Sequence, residues 1–271
     1  MRIPRVRHDA AIPDAAPDVT RPSRLLDLRG SPALPQSDGV YPLCVLPSGR
    51  RPAWRHARTA RHPELMTALA QALAALGLPA TLKAPLADFA ALFHKWNQRI
   101  NLSAARSEPE VQDHIVDCLH LVPLLRAAAS AWPPPRPVPV LDVGSGGGLP
   151  AVIVAICLPD VRITALEPIH KKHAFLRTAA RELALPGLEP LTERIEVHGR
   201  HAYAAAMSRA TIDLRDWLLL GLRHVSPGGV VFGFEAIPRD DLPPGTLRHP
   251  YLHLGKPRAI VALSRTSSPS T

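Results

Sequence analysis

Val140-Leu141-Asp142-Val143-Gly144-Ser145-Gly146-Gly147-Gly148-Leu149 reads as an apolar strand that ends in a glycine-rich turn and opens a helix. Without Cβ atoms such a turn is tight, and its backbone can approach a ligand whose polar groups meet the free N–H groups of the following helix. A dinucleotide loop follows G-x-G-x-x-G, but the place due for its last glycine holds Leu149, which disfavours NAD or FAD. Asp142, just upstream of Gly144, would repel a pyrophosphate and attract a cationic methionine ammonium. The loop therefore points to S-adenosylmethionine, with Asp142, Gly144 and Gly146 as contacts.

Moving outward, Val161 to Leu166 forms a second strand, and Glu167 ends it about 20 residues after the loop, where an acid can accept hydrogen bonds from both ribose hydroxyls. Pro168 closes that strand. Helical patterns over Leu149 to Cys157, His170 to Leu183 and Leu214 to Arg223 alternate with short strands at Arg194 to Val197, Ala204 to Met207 and Val230 to Phe234. Ser226-Pro227-Gly228-Gly229 leads into the last of these, a turn often found before the fifth strand of methyltransferases of this class. Alternation predicts an α/β fold with a mainly parallel sheet and helices on both faces over 137–265, and the loop, Asp142, Glu167 and this turn together make it a Rossmann-like class I methyltransferase. Tyr251 to Leu254 and Ala259 to Ser264, joined by Gly255-Lys256-Pro257, predict a C-terminal antiparallel hairpin, and 266–271 form a tail.

Upstream, Pro133-Pro134-Pro135 and Pro137 separate this domain from a helical N-terminal portion over 64–136. Three helices are expected there: one from Glu64 to the stop at Gly77-Leu78-Pro79, an amphipathic one over 85–100, and one capped by Ser107 and Glu110 with Val111, Ile115 and Leu119 inward. Residues 1–63 are Pro- and Arg-rich without period and are expected to be a disordered extension, and residues 1–65 are expected to be dispensable. The change of texture at Leu65-Met66-Thr67 suggests Met66 as the initiator. The competing expectation is an RNA-binding arm.

The 271-residue chain carries a formal net charge of +9, which suits a polyanionic partner, although an Arg-rich codon bias gives the same balance. Cys44, Cys118 and Cys157 form no CxxC pair and are expected as buried thiols in a reducing compartment. His170 and His173 lack the partners of a zinc site, so no metal is expected. No apolar run is long enough for a membrane span, and no signal core opens the chain, which predicts a soluble cytoplasmic protein with no membrane partner.

Six motifs stand in order: Trp96-Asn97 with Asn101-Leu102-Ser103, the run His114-Ile115-Val116-Asp117-Cys118-Leu119, Asp142 to Pro150, Lys171-Lys172 with Phe175-Leu176, Arg194-Ile195-Glu196, and Ser208-Arg209-Ala210. Together they resemble the 16S ribosomal RNA (guanine-N7)-methyltransferases once called glucose-inhibited division protein B. The resemblance runs from about 84 to 264. It implies cofactor contacts at Gly144, Leu149, Ile195, Glu196 and Arg209, with 16S ribosomal RNA or the small subunit as partner of a monomer. The chain departs from the family at Asp113, where Arg is usual, at Glu235-Ala236, where Lys-Gly is usual, and at Tyr203-Ala204, where an aromatic-Asp pair is usual. Two acids thus replace two cations near the expected RNA face, which bears on whether this copy is fully active on the same substrate.

N7 of guanine has a free lone pair, so positioning suffices and no general base is required; no catalytic residue is assigned. The target base must be single-stranded or splayed out. Lys171, Lys172, Arg177 and Arg181 on one helix, with Arg99 and Arg106 beside the Asn101 motif, are candidates for the RNA backbone, against the plainer reading of a solvated helix face. Two alternatives stand beside this function: a methyltransferase with another acceptor, and a non-catalytic RNA-binding relative.

Overall fold

The computed structural model describes residues 63–266. The expectations for residues 1–62, for Cys44 and for the end of the tail lie outside the described residues. Pro63 opens the first helix, α1 (Pro63–Ala75), and α2 (Lys83–Ile100), α3 (Glu108–Leu119) and α4 (Leu121–Ala131) follow. The α3 cap forms as expected: Glu110 N donates to Ser107 Oγ, and the Glu110 carboxylate reaches back to Ser107 Oγ and to the amide of Arg106. A fourth helix, α4, exceeds the three expected. It starts one residue after α3, tolerates Pro123 because first-turn amides lack intrahelical partners, and buries Leu121, Val122, Leu125 and Ala129.

Seven strands follow: β1 (Val138–Val143), β2 (Val161–Leu166), β3 (Leu188–Leu191), β4 (Tyr203–Ser208), β5 (Val225–Glu235), β6 (Leu247–His253) and β7 (Lys256–Ser264). Their spatial order is β3-β2-β1-β4-β5-β7-β6. The first five are parallel, and β7 runs antiparallel to both β5 and β6. This is the mainly parallel sheet with a C-terminal hairpin that the alternating pattern predicts. The hairpin turn is the two residues Leu254-Gly255, both at positive φ, rather than Gly255 to Pro257; such a pair matches the twist of the strands it joins.

The third strand is a correction. It lies at Leu188–Leu191, in parallel register with Ile163 to Leu166, and not at Arg194 to Val197, where Ile195–Val197 make a 3-10 turn. Only an edge strand accepts a proline such as Pro190, and β3 is the sheet edge.

Period-two alternation splits the core between the two sheet faces. Val138 and Val140 of β1 join one apolar cluster with residues of α1 to α4, of α5 (Ala151–Cys157) and of α6 (His170–Glu182). Leu141 and Val143 face the other way, towards Trp217 and Leu218 of α7 (Leu214–Gly221). The N-terminal helices thus share the core of the sheet: Phe93 packs edge-on against Phe175 of α6 at 5.8 Å, and Trp96 lies 5.7 Å from the same ring.

Candidate active site

Strands β2 and β3 lie on one side of β1, and β4 and β5 on the other, so the crevice between β1 and β4 is the point where the strand order reverses. In open α/β sheets ligands bind there, outside the carboxyl ends of the strands. The loop after β1, Glu167 after β2, the 3-10 turn after β3 and Ser208-Arg209 at the end of β4 all converge on that edge.

The loop's shape depends on its lack of side chains. Gly144 has φ of +69° and abuts Thr211, whose hydroxyl lies 3.2 Å from the Gly144 carbonyl. A Cβ on Gly147 would overlap the ring of Phe93 and crowd Leu102, so the N-L-S motif and α2 press directly on the loop. Asn97 fixes that segment, accepting from the amides of Leu102 and Ser103 at 2.6 and 2.9 Å and donating to the carbonyl of Ala105.

Asp142 is fully buried, and neither carboxylate oxygen makes a well-formed hydrogen bond among the described residues, the Ser145 hydroxyl and the Ala151 amide giving it only partial support. Burial pushes its pKa up to about 7. A buried carboxylate so weakly partnered is costly, and a cationic ligand group beside the loop relieves that cost. Glu167, also buried, accepts from Gly146 N and from Ile169 N, each at 2.8 Å. The donor set therefore suits a ligand with a cation at one end and a diol further along. Leu149 is half-buried against the main core. Ile195 is buried, Glu196 is exposed, and both lie on the turn after β3 rather than on a strand.

Arg209 turns towards α3. Its Nη2 donates to Asp117 Oδ2 at 2.9 Å and lies 3.3 Å from His114 Nδ1, while its Cζ stands 5.8 Å from the centre of the Phe234 ring. Asp117, 1% exposed, also accepts from the Tyr251 hydroxyl at 2.8 Å. His114, Asp117, Thr211, Phe234 and Tyr251 were given no role by the sequence reading. The only available signal was the motif His114 to Leu119, which carries two of them. Cys118 and Cys157 are free and buried.

Of the basic residues expected to meet RNA, Arg99 lies on α2, Lys171, Lys172, Arg177 and Arg181 lie on α6, and Arg106 lies in the loop before α3; α2 and α6 are joined through Trp96 and Phe175. Arg99, Lys171 and Arg177 are exposed and Lys172 is half-buried. Glu235 is not an open acid: it is 4% exposed, accepts from Arg248 Nε at 2.9 Å and Nη2 at 3.1 Å, and accepts from the amide of Arg239. Among the described residues no helix is long and apolar enough to cross a membrane, and no three His, Cys, Asp or Glu side chains are grouped to hold a metal ion.

A family model described as rRNA small subunit methyltransferase G matches residues 82–241. Ribosomal RNA small subunit methyltransferase G of Paracoccus denitrificans (strain Pd 1222) is 41% identical over 148 residues, covering 54% of this chain and 72% of that protein. The protein of the same name from Burkholderia pseudomallei (strain 668) is 38% identical over 185 residues, covering 65% and 77%. Among solved structures, TrmN from Thermus thermophilus is similar at 22% identity and a TM-score of 0.42, covering 56% of this chain and 48% of that one.

Proposed function

The chain belongs to the rRNA small subunit methyltransferase G family, and from that premise we propose that this S-adenosylmethionine-dependent enzyme methylates N7 of a guanine in 16S ribosomal RNA. The observation that carries the cofactor half of this reading is the buried carboxylate of Asp142 at the glycine loop, which lacks a well-formed hydrogen bond. S-adenosylmethionine supplies an electrophilic methyl group on a sulfonium centre.

The chain's own residues bind and orient. Asp142 would attract the methionine ammonium, Gly144 and Gly146 would let the loop backbone approach the cofactor, and Glu167 would accept from the ribose hydroxyls. Ile195 and Glu196 lie where an adenine edge would pass. N7 carries a lone pair at neutral pH, so rate is gained by holding the base in line and excluding water, without a proton to remove. Lys171, Lys172, Arg177 and Arg99 offer charge to the RNA backbone on the helices flanking the loop. The protein acts as a monomer in the cytoplasm on 16S RNA or the small subunit. A non-catalytic relative was suggested by Asp113 and Glu235; with Glu235 turned inward and paired to Arg248, half of that suggestion falls away.

Mass spectrometry of 16S RNA from a deletion strain tests the reading. Loss of one 7-methylguanosine, restored by the intact gene, is the expected result. An unchanged nucleoside profile would overturn it.

A further inference from the structure

Beside the cofactor loop lies a chain of polar groups bonded to one another, from His114 through Arg209 and Asp117 to Tyr251. Asp117 gathers three elements: Arg209 from the turn after β4 and Tyr251 from the hairpin both donate to it, and Arg258 Nη1 stands 3.9 Å away. The Tyr251 ring stacks on His120 with centroids 3.9 Å apart, which fixes the hydroxyl. Arg209 is thereby held with Nη2 against both Asp117 and His114 Nδ1.

This contact decides the state of His114. A guanidinium only donates, so Nδ1 must accept. Burial, with the Arg209 charge second, lowers the His114 pKa, against the Asp117 and Asp113 charges, which raise it. A neutral imidazole accepting at Nδ1 carries its proton on Nε2.

The turn that carries Arg209 is tied to the cofactor loop. The Thr211 hydroxyl lies 3.2 Å from both the Gly144 and the Arg209 carbonyls, and Ser208 Oγ donates to the Val143 carbonyl at 2.8 Å. Ala210, in the turn between Arg209 and Thr211, holds φ of +56°, a strained conformation for a residue with a Cβ.

We propose that His114, fixed as the Nε2–H form by Arg209 and Asp117, is the hydrogen-bond donor that selects the acceptor base by its O6. The inference rests on the guanine N7 reading above. O6 shares an edge with N7, and adenine presents an amino donor at that place, so a fixed donor admits guanine and rejects adenine. Methylation at N7 leaves the purine cationic. A neutral imidazole holds O6 without repelling that charge, whereas a further free cation would. Asp117 is a positioning residue that acts through Arg209.

Once the methylated guanine is located, small subunits are reconstituted with 16S RNA carrying guanine or 2-aminopurine, which lacks O6, at that position, and N7 methylation is followed by mass spectrometry. The wild-type enzyme should prefer guanine by about 10- to 100-fold in kcat/KM, the worth of a good base-edge contact. His114→Ala should methylate both bases at similar, lowered rates, and His114→Gln, which keeps a donor near the Nε2 position, should recover part of the preference. A ¹⁵N spectrum of the free enzyme should show His114 protonated at Nε2 and a mixture of tautomers in Asp117→Asn. Retention of the wild-type base preference by His114→Ala, or a wild-type proton on Nδ1, overturns the donor role alone. Absence of 7-methylguanosine from every wild-type reaction overturns the acceptor reading and the donor role with it.

Discussion

The amide of Gly146 donates to Oε2 of Glu167 across 2.8 Å, so the acid after the second strand holds the loop after the first. Its other oxygen accepts from the amide of Ile169. Glu167→Gln keeps the size but presents one amide with an NH2 group instead of an acceptor. We expect cofactor affinity to fall about tenfold or more, the worth of one hydrogen bond to a charged group. Isothermal titration measures this, and an affinity within twofold of wild type would remove Glu167 from the site.

Gly147 and Phe93 are matched across the boundary between the helical portion and the sheet. A methyl group on residue 147 meets the aromatic ring, so Gly147→Ala should destabilise the protein by about 1–3 kcal/mol, as overpacking does. Phe93→Leu in the same chain should recover part of that loss. Gly146→Ala has open space around it and is strained only by its φ of +53°, so its stability cost should be smaller. Denaturant unfolding of the three variants and the double mutant ranks them; equal costs at 146 and 147 would contradict the packing.

Asp142 predicts a pH dependence of cofactor binding. Its carboxyl, raised to about 7 by burial, must give up its proton before it can pair with an ammonium. Affinity for S-adenosylmethionine should therefore fall below about pH 7, towards tenfold per pH unit, as the carboxyl takes up its proton. Asp142→Asn should bind weakly with this dependence removed. A wild-type affinity constant between pH 8 and pH 5.5 would show that the carboxylate does not face the cation.

The Glu235–Arg248 pair predicts that restoring the family's usual lysine does harm here. Glu235→Lys would place a buried cation beside Arg248, with the Arg239 amide left without its acceptor. The thermal midpoint should drop by several degrees, while Glu235→Lys combined with Arg248→Glu should recover part of it. A rise in the midpoint of the single variant would mean that the pair is dispensable.

The local features of the site were legible because short-range rules fix them. Val138 to Val143 and Val161 to Leu166 are apolar runs ended by Gly144 and by Pro168, and the structure begins and ends both strands where those runs do. The amphipathic spacing of Leu86, Phe89 and Phe93 likewise marks the buried face of α2. β3 was misplaced because Leu188-Glu189-Pro190-Leu191 carries no period of its own and becomes a strand only through its register with β2.

Asp117 and Arg209, 92 positions apart, and Glu235 and Arg248, across the turn into the hairpin, could be listed from the sequence but not paired by it. The sequence by itself determined the strand-turn-helix, the acid after β2 and the sheet class, since each depends on backbone sterics and on apolar periodicity within one segment. Which way Arg209 points, which nitrogen of His114 carries the proton and whether Glu235 meets solvent were decided only when the parallel crossovers brought α3, the β4 turn and the hairpin to one edge. A hydrogen bond between distant residues leaves no trace in the local pattern, because its partner is supplied by the packing of the whole sheet.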